Sequence, residues 1–277
     1  INKECWDGEW YVRYFEENGT PLGSHKNQEG KIFINSQSWA VIGRVAPLDR
    51  ARQALDSVNK HLNTKFGLKL SAPGYKEFDW RKGGVTTYPP GAKENGGIFL
   101  HCNPWVMIAE TILGDGNKAF QYYQQINSAT KNDMADLFES EPYNYPQNIL
   151  GNEHPQFGLG RNGWLSGTSS WTYSAATKHI IGVRPAFSGL EIDPCIPSDW
   201  KSFSVTRVFR GTTYKIKVQN PSNVCKGVVS LTVDGKAVEG NIIPLALTKG
   251  KKEVAVEVTM GASKTAGSKK EKAAAKV

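Results

Sequence analysis

The stretch Phe203-Ser204-Val205-Thr206-Arg207-Val208-Phe209, followed by Thr213-Tyr214-Lys215-Ile216-Lys217-Val218, alternates its apolar residues with period two. An extended backbone turns successive side chains to opposite faces, so this pattern predicts half-buried strands. Leu190-Glu191-Ile192, the run from Val228 to Val233 and the run from Val254 to Val258 repeat it, with Asn220-Pro221 and Asp234-Gly235 supplying turns between them. Residues 187–260 therefore read as a small antiparallel β-domain, sandwich-like or jelly-roll-like.

Working back from residue 187, the texture is helical. Ser36 to Ala46 reads as a helix with Ser36 at its cap. Pro47 to Phe66 reads as another, with Leu48, Ala51, Leu55, Val58 and Leu62 near helical period and Gly67 as its stop. Ile98 to Leu113 is strongly apolar, with Pro104 as its only break; Gly116 to Ala129 and Ser166 to Gly182 follow. Between the helices run two long Gly/Pro/Tyr-rich segments, 71–97 and 139–163. Loops of that length inside a compact domain are usually functional. Residues 1–35 read as short strands and turns. Helical hairpins joined by long loops at one end fit an (α/α) barrel whose loops build a pocket. The expected domains are 1–186, helical with pocket-forming loops, then 187–260, and a Lys/Ala-rich, disordered tail over 261–277.

The bulk numbers exclude several classes. Hydrophobic residues make up 39% of the 277 and charged residues 22%, a soluble globular balance. The net charge of +8 is half tail: residues 261–277 hold five Lys and one Glu. A basic reading surface for nucleic acid is not indicated elsewhere, so no nucleic-acid partner is expected. No apolar run reaches about 18 residues, so no membrane partner is expected. Cys5, Cys102, Cys195 and Cys225 lack metal-knuckle spacing, and the four scattered residues His25, His61, His154 and His179 lack metal-ligand spacing. The expectation is a reduced, cytoplasmic protein without a metal. The chain opens on Ile1 rather than Met, which reads as numbering begun inside a longer protein. Eight Trp favour a carbohydrate ligand, because indole faces stack on sugar rings.

Three segments could carry chemistry. Tyr88-Pro89-Pro90-Gly91-Ala92-Lys93-Glu94-Asn95-Gly96-Gly97 runs on through His101, Asn103 and Trp105. It offers a cation, a carboxylate, an amide and an imidazole, with two glycines that let backbone approach a ligand; the plainer reading is a capped helix start with a core His. Trp164-Leu165-Ser166-Gly167-Thr168-Ser169-Ser170-Trp171 puts hydroxyls at a helix entry suited to an anion, or simply caps the helix. Cys5-Trp6-Asp7-Gly8-Glu9-Trp10 pairs two carboxylates with two Trp, as a glycosidase would, but simple turn and strand positions are the favoured reading.

Taken in order, these segments resemble the cellobiose and chitobiose phosphorylases, a family of inverting glycoside phosphorylases. The resemblance also runs through Gln37-Ser38-Trp39-Ala40, Glu141-Pro142-Tyr143, Gly182-Val183-Arg184-Pro185, Asp193-Pro194-Cys195-Ile196-Pro197 and Trp200, and covers about residues 3–245. It implies an α+β multidomain enzyme, here the C-terminal part of an (α/α)6 barrel followed by the β-domain, acting as a homodimer. The implied reaction is phosphorolysis of a β-linked disaccharide, cellobiose in the first instance, to an α-sugar 1-phosphate and a free sugar. Inorganic phosphate is the co-substrate and no cofactor is implied. By position, His101, Ser166 and Gly167 match phosphate-binding residues. Tyr88, Lys93, Glu94 and Gln147 match residues lining the sugar subsites. The family's general acid is the Asp of a Trp-Asn-Asp motif, which does not occur in these 277 residues. No catalytic residue is therefore expected here, and the upstream part of the same enzyme would be a partner. The rival expectation is a catalytically inactive carbohydrate-binding or structural fragment.

Overall fold

The computed structural model describes residues 1–262. All but the first two residues of the expected tail, 261–277, lie outside the described residues. The chain divides into two compact units: Ile1–Leu113 with Lys118–Ala175, and Gly114–Asn117 with the chain from Ala176 on. The sequence boundary at 186/187 falls inside the second unit.

The first unit is built on helices α1 (Ile34–Ile42), α2 (Leu48–Leu62), α3 (Asn103–Leu113), α4 (Gly116–Ile126), the short α5 (Ala135–Phe138) and α6 (Thr168–Ser174). α2 buries Ala51, Ala54, Leu55, Val58 and Leu62, the one-sided stripe its sequence period requires. α3 buries Val106, Met107, Ile108 and Ala109 in succession, so it is covered on most sides and centres the core. Each fully buried aliphatic side chain there stabilises by about 1.5–3 kcal/mol relative to exposure.

Two of the helix starts that differ from the sequence reading bear on the site. α1 begins at Ile34, not Ser36, because the chain enters it from the strand Ile32–Phe33, which pairs with Ser71–Ala72. No side chain caps it. Instead Gln37, fully buried, bonds the Tyr11 N–H through Oε1 and the Tyr11 and Phe33 carbonyls through Nε2. The expected helix from Ile98 is three elements: a strand Ile98–Phe99, a single 3-10 turn Leu100–Cys102, and α3 from Asn103. Pro104 explains the late start, since a residue without an N–H fits only a helix's first turn. His101 therefore lies on a turn ahead of α3, not within a helix.

The second unit holds a three-stranded sheet (Val183–Pro185, Gly189–Ile192, Ile242–Pro244) and a five-stranded one. In the latter the strands run in the order Ser202–Phe209, Thr212–Gln219, Glu253–Met260, Val228–Val233, Lys236–Ala237. Tyr214, Ile216 and Val218 are buried while Lys215 and Lys217 are exposed, as the alternation predicts. The sheet is mixed, which corrects the purely antiparallel reading. Glu253–Met260 pairs parallel with Thr212–Gln219 and antiparallel with Val228–Val233. Alternation identifies a strand but carries no information on the direction of its neighbour.

Candidate active site

A small sheet assembles the site in the first unit. Ile98–Phe99 pairs antiparallel with Pro146–Ile149, which pairs antiparallel with Gly160–Gly163. The register sets Phe99 opposite Asn148, Asn148 opposite Arg161, and Pro146 opposite Gly163. Three segments distant in sequence thus meet: the turn bearing His101, the strand bearing Gln147, and the entry to Trp164-Leu165-Ser166-Gly167.

The first loop is shaped by its asparagines. Asn95 is fully buried; Oδ1 accepts the Tyr75 N–H at 2.6 Å, and Nδ2 donates to the Tyr75 and Tyr88 carbonyls at 2.8 and 2.7 Å. Asn103, also buried, accepts the Leu68 N–H and donates to the Leu68 carbonyl at 3.0 Å. These amides replace backbone partners inside the fold, so they are clamps rather than ligand groups. The turn they fix contains Lys93 in the left-handed region, at φ 46°. A non-glycine residue is strained there and stays only where its surroundings hold it.

That turn presents the charged pair. The Lys93 ammonium lies 5.1 Å from the centre of the Tyr88 ring, within cation–π range. Glu94 is half-buried, and its Oε2 is buried without a hydrogen-bond partner. An unsatisfied buried carboxylate oxygen is costly, and a sugar hydroxyl is a natural donor for it. His101 is half-buried, edge-on to Phe99 at 4.8 Å and to Trp105 at 5.2 Å. Burial lowers its pKa from the ordinary value, opposed by the nearby Glu94 carboxylate. The imidazole is therefore neutral at neutral pH and carries one N–H to donate.

The second loop approaches the same turn, since α6 packs against both Leu100–Cys102 and α3. Trp39, Trp105 and Trp171 meet edge to face at 5.4, 5.6 and 6.4 Å between centres, and Trp105 also touches His101. Ser166 is half-buried, Gly167 exposed and Thr168 buried. The Ser166 hydroxyl accepts the Thr168 N–H at 3.0 Å and bonds the Thr168 hydroxyl, so it shapes the helix entry as a capping residue would. On the remaining strand, half-buried Gln147 accepts a hydrogen bond from the Asn162 amide at 3.1 Å.

Asp7 has a different role. Its Oδ1 accepts the Glu9 and Trp10 N–H groups, and its Oδ2 accepts the His25 N–H at 2.8 Å and lies 3.1 Å from His25 Nδ1. These bonds make it a turn former, and Glu9 beside it is exposed. Sequence reasoning missed the braces Asn144 and Asn162, and singled out Glu141 only as part of a motif, without a role. Of the left-handed residues Asn162 and Trp164 (φ 56° and 67°), Asn162 followed by Gly163 carries a turn signal, whereas Trp164 carries none. Among the described residues, no group of three or more His, Cys, Asp or Glu is placed to hold a metal ion. No helix among them is long and apolar enough to cross a membrane.

Residues 1–182, which include all of this geometry, match the profile of the glycosyl hydrolase 94 superfamily catalytic domain. The chain belongs to that family. It is 44% identical over 243 residues to N,N′-diacetylchitobiose phosphorylase of Vibrio proteolyticus, covering 87% of this chain and 30% of that protein. It is 35% identical over 245 residues to solabiose phosphorylase of Paenibacillus borealis, covering 88% of this chain and 32% of the relative. Cyclic beta-(1,2)-glucan synthase NdvB of Rhizobium meliloti is 31% identical over 88% of this chain and 9% of its own. The chain thus spans about a third of the length of the two phosphorylases. Among solved structures, the family GH92 alpha-mannosidase of Bacteroides thetaiotaomicron overlaps 83% of this chain and 24% of its own at 14% identity, with a TM-score of 0.32.

Proposed function

We propose that this chain supplies the phosphate- and sugar-binding part of an inverting disaccharide phosphorylase, within an (α/α)6 barrel carrying a C-terminal β module. The observation that carries this reading is that Glu94, with its unpartnered buried oxygen, lies close enough to half-buried His101 to act on its ionisation, while the turn bearing His101 packs against the helix that Ser166 and Gly167 enter.

The chemistry follows from charge and geometry. A phosphate oxygen attacks the anomeric carbon of the non-reducing sugar as the glycosidic C–O bond breaks, inverting β to α. Phosphate is already anionic, so no general base is needed, in contrast with the activated water of an inverting hydrolase. His101 donates its N–H to one phosphate oxygen, and the Ser166 hydroxyl and Gly167 backbone line the other side. Lys93 and Glu94 bond hydroxyls of the acceptor sugar, with Tyr88 beneath Lys93, while Gln147 contacts the donor sugar. Protonation of the leaving oxygen requires an acid, and the family's Trp-Asn-Asp is not in this sequence. We assign that step to an upstream part of a longer chain, and the working unit to a cytoplasmic homodimer. N,N′-diacetylchitobiose joins cellobiose as a substrate to test, because a relative of that name is 44% identical.

The experiment is a calorimetric titration of the chain with inorganic phosphate and with each disaccharide. Phosphate binding should weaken about tenfold or more in His101→Ala, the cost of losing a charge-assisted hydrogen bond. Phosphate affinity that survives His101→Ala would sink the phosphate assignment.

A further inference from the structure

We infer that Tyr143, Trp164 and Glu141 form a sugar-stacking surface beside Gln147, taking one pyranose ring of the β-linked disaccharide. The inference rests on the reading above and adds three residues to it. The Tyr143 and Trp164 rings lie 6.0 Å apart, tilted by 49°, with 76% and 68% of each residue exposed. Two adjacent, open aromatic rings are costly in water unless something covers them.

The surface is held rigidly. Trp164 sits in the left-handed region at φ 67°, where a bulky side chain is an outlier. Its backbone N–H is held by Asn144 Oδ1 at 3.2 Å, and its indole Nε1–H by Glu141 Oε1 at 3.4 Å. Buried Asn144 also donates to Glu141 Oε2 at 3.2 Å. With the indole N–H engaged at the ring edge, the ring face is left for the C–H groups of a sugar. Glu141 is exposed, and its own backbone N–H, Asn144 and Trp164 lower its pKa, so it stays an ionised acceptor with lone pairs free for hydroxyls. A stacking face beside an acceptor matches a pyranose, which is apolar on its faces and hydroxylated at its rim.

Position links the surface to the site. Gln147 bonds Asn162, whose strand ends at Gly163, directly before Trp164. Ser166 follows two residues later. Trp164 is therefore joined along the chain to both the strand that bonds Gln147 and the helix entry at Ser166.

The test follows the indole N–H resonances of the ¹⁵N-labelled chain during titration with cellobiose, with N,N′-diacetylchitobiose and with inorganic phosphate. The Trp164 signal is the one that Trp164→Phe removes. It should shift with at least one disaccharide, and Tyr143→Ala should weaken that disaccharide's affinity by about fivefold, typical of one lost aromatic contact. Circular dichroism confirms that Tyr143→Ala stays folded. A Trp164 signal that neither disaccharide moves overturns the stacking surface, whatever phosphate does. If it moves while His101→Ala leaves phosphate binding intact, the surface stands and the phosphate assignment fails.

Discussion

Single residues separate by role once their partners are known. Asn95 and Glu94 are neighbours in one motif, yet Asn95 is saturated by three backbone groups and Glu94 keeps a buried oxygen unpaired. Asn95→Ala strands one N–H and two carbonyls, so chemical denaturation should show a loss of about 3 kcal/mol. A loss below about 0.5 kcal/mol would disprove the clamp. His179, in the second unit, gives a pH signature. Burial, then Arg184, Lys178 and Lys226, lower its pKa to about 4 from 6.5, against an opposing effect of Asp193. Above pH 6.5 it is neutral in both folded and unfolded chains and contributes nothing to the pH dependence. Between 6.5 and 4 the unfolded chain takes up a proton that the folded one refuses, so stability falls as pH falls and levels off below 4. The drop should be roughly 1–2 kcal/mol after solvent screening, and His179→Asn should flatten it in urea melts at stepped pH. An equally steep profile in the variant would assign the effect to other groups.

Among the elements, the turn from Ala92 to Gly97 controls the site. A Cβ on Gly97 would lie 2.5 Å from the Lys93 carbonyl oxygen and 2.7 Å from its nitrogen, both backbone atoms that cannot step aside alone. Gly97→Ala should therefore displace Lys93 and Glu94, with a stability loss of roughly 2–4 kcal/mol and disaccharide affinity reduced at least tenfold. Gly84, where a Cβ meets nothing within 4 Å, is the control, and Gly84→Ala should shift stability by less than about 0.5 kcal/mol. Thermal melts beside the titrations check both, and a tolerated Gly97→Ala would remove the turn from the argument. Elements were unevenly legible. The period of α2 and the alternation of Thr212–Gln219 were plain, because one buried face imposes a repeat. The strands Ile98–Phe99 and Pro146–Ile149 were hidden, the first in an apolar run that reads equally as helix. The short strand Ile242–Pro244 and the helix Leu245–Thr248 were missed for want of length.

For the molecule as a whole, the proposed function sets the expected behaviour. The chain alone should bind phosphate and a β-linked disaccharide without turning them over. Release of α-sugar 1-phosphate should appear only when an upstream segment carrying the Trp-Asn-Asp acid is joined to it, as measured by coupled assay of the product. Turnover by the 277 residues alone would mean that the proton donor lies among them. The sequence by itself determined the family, the longer strands of the second unit, most helix spans and the residue types of the site. Each of these is written in local repeats or contiguous motifs. Only the tertiary structure decided which motif residues are clamps and which are free, that Asp7 is a turn former, and that one strand joins the five-stranded sheet in parallel. It also decided that Tyr143 and Trp164 stand together in the open. Those outcomes depend on partners far along the chain, and hydrogen-bond saturation, strand direction and burial are fixed only when these segments meet.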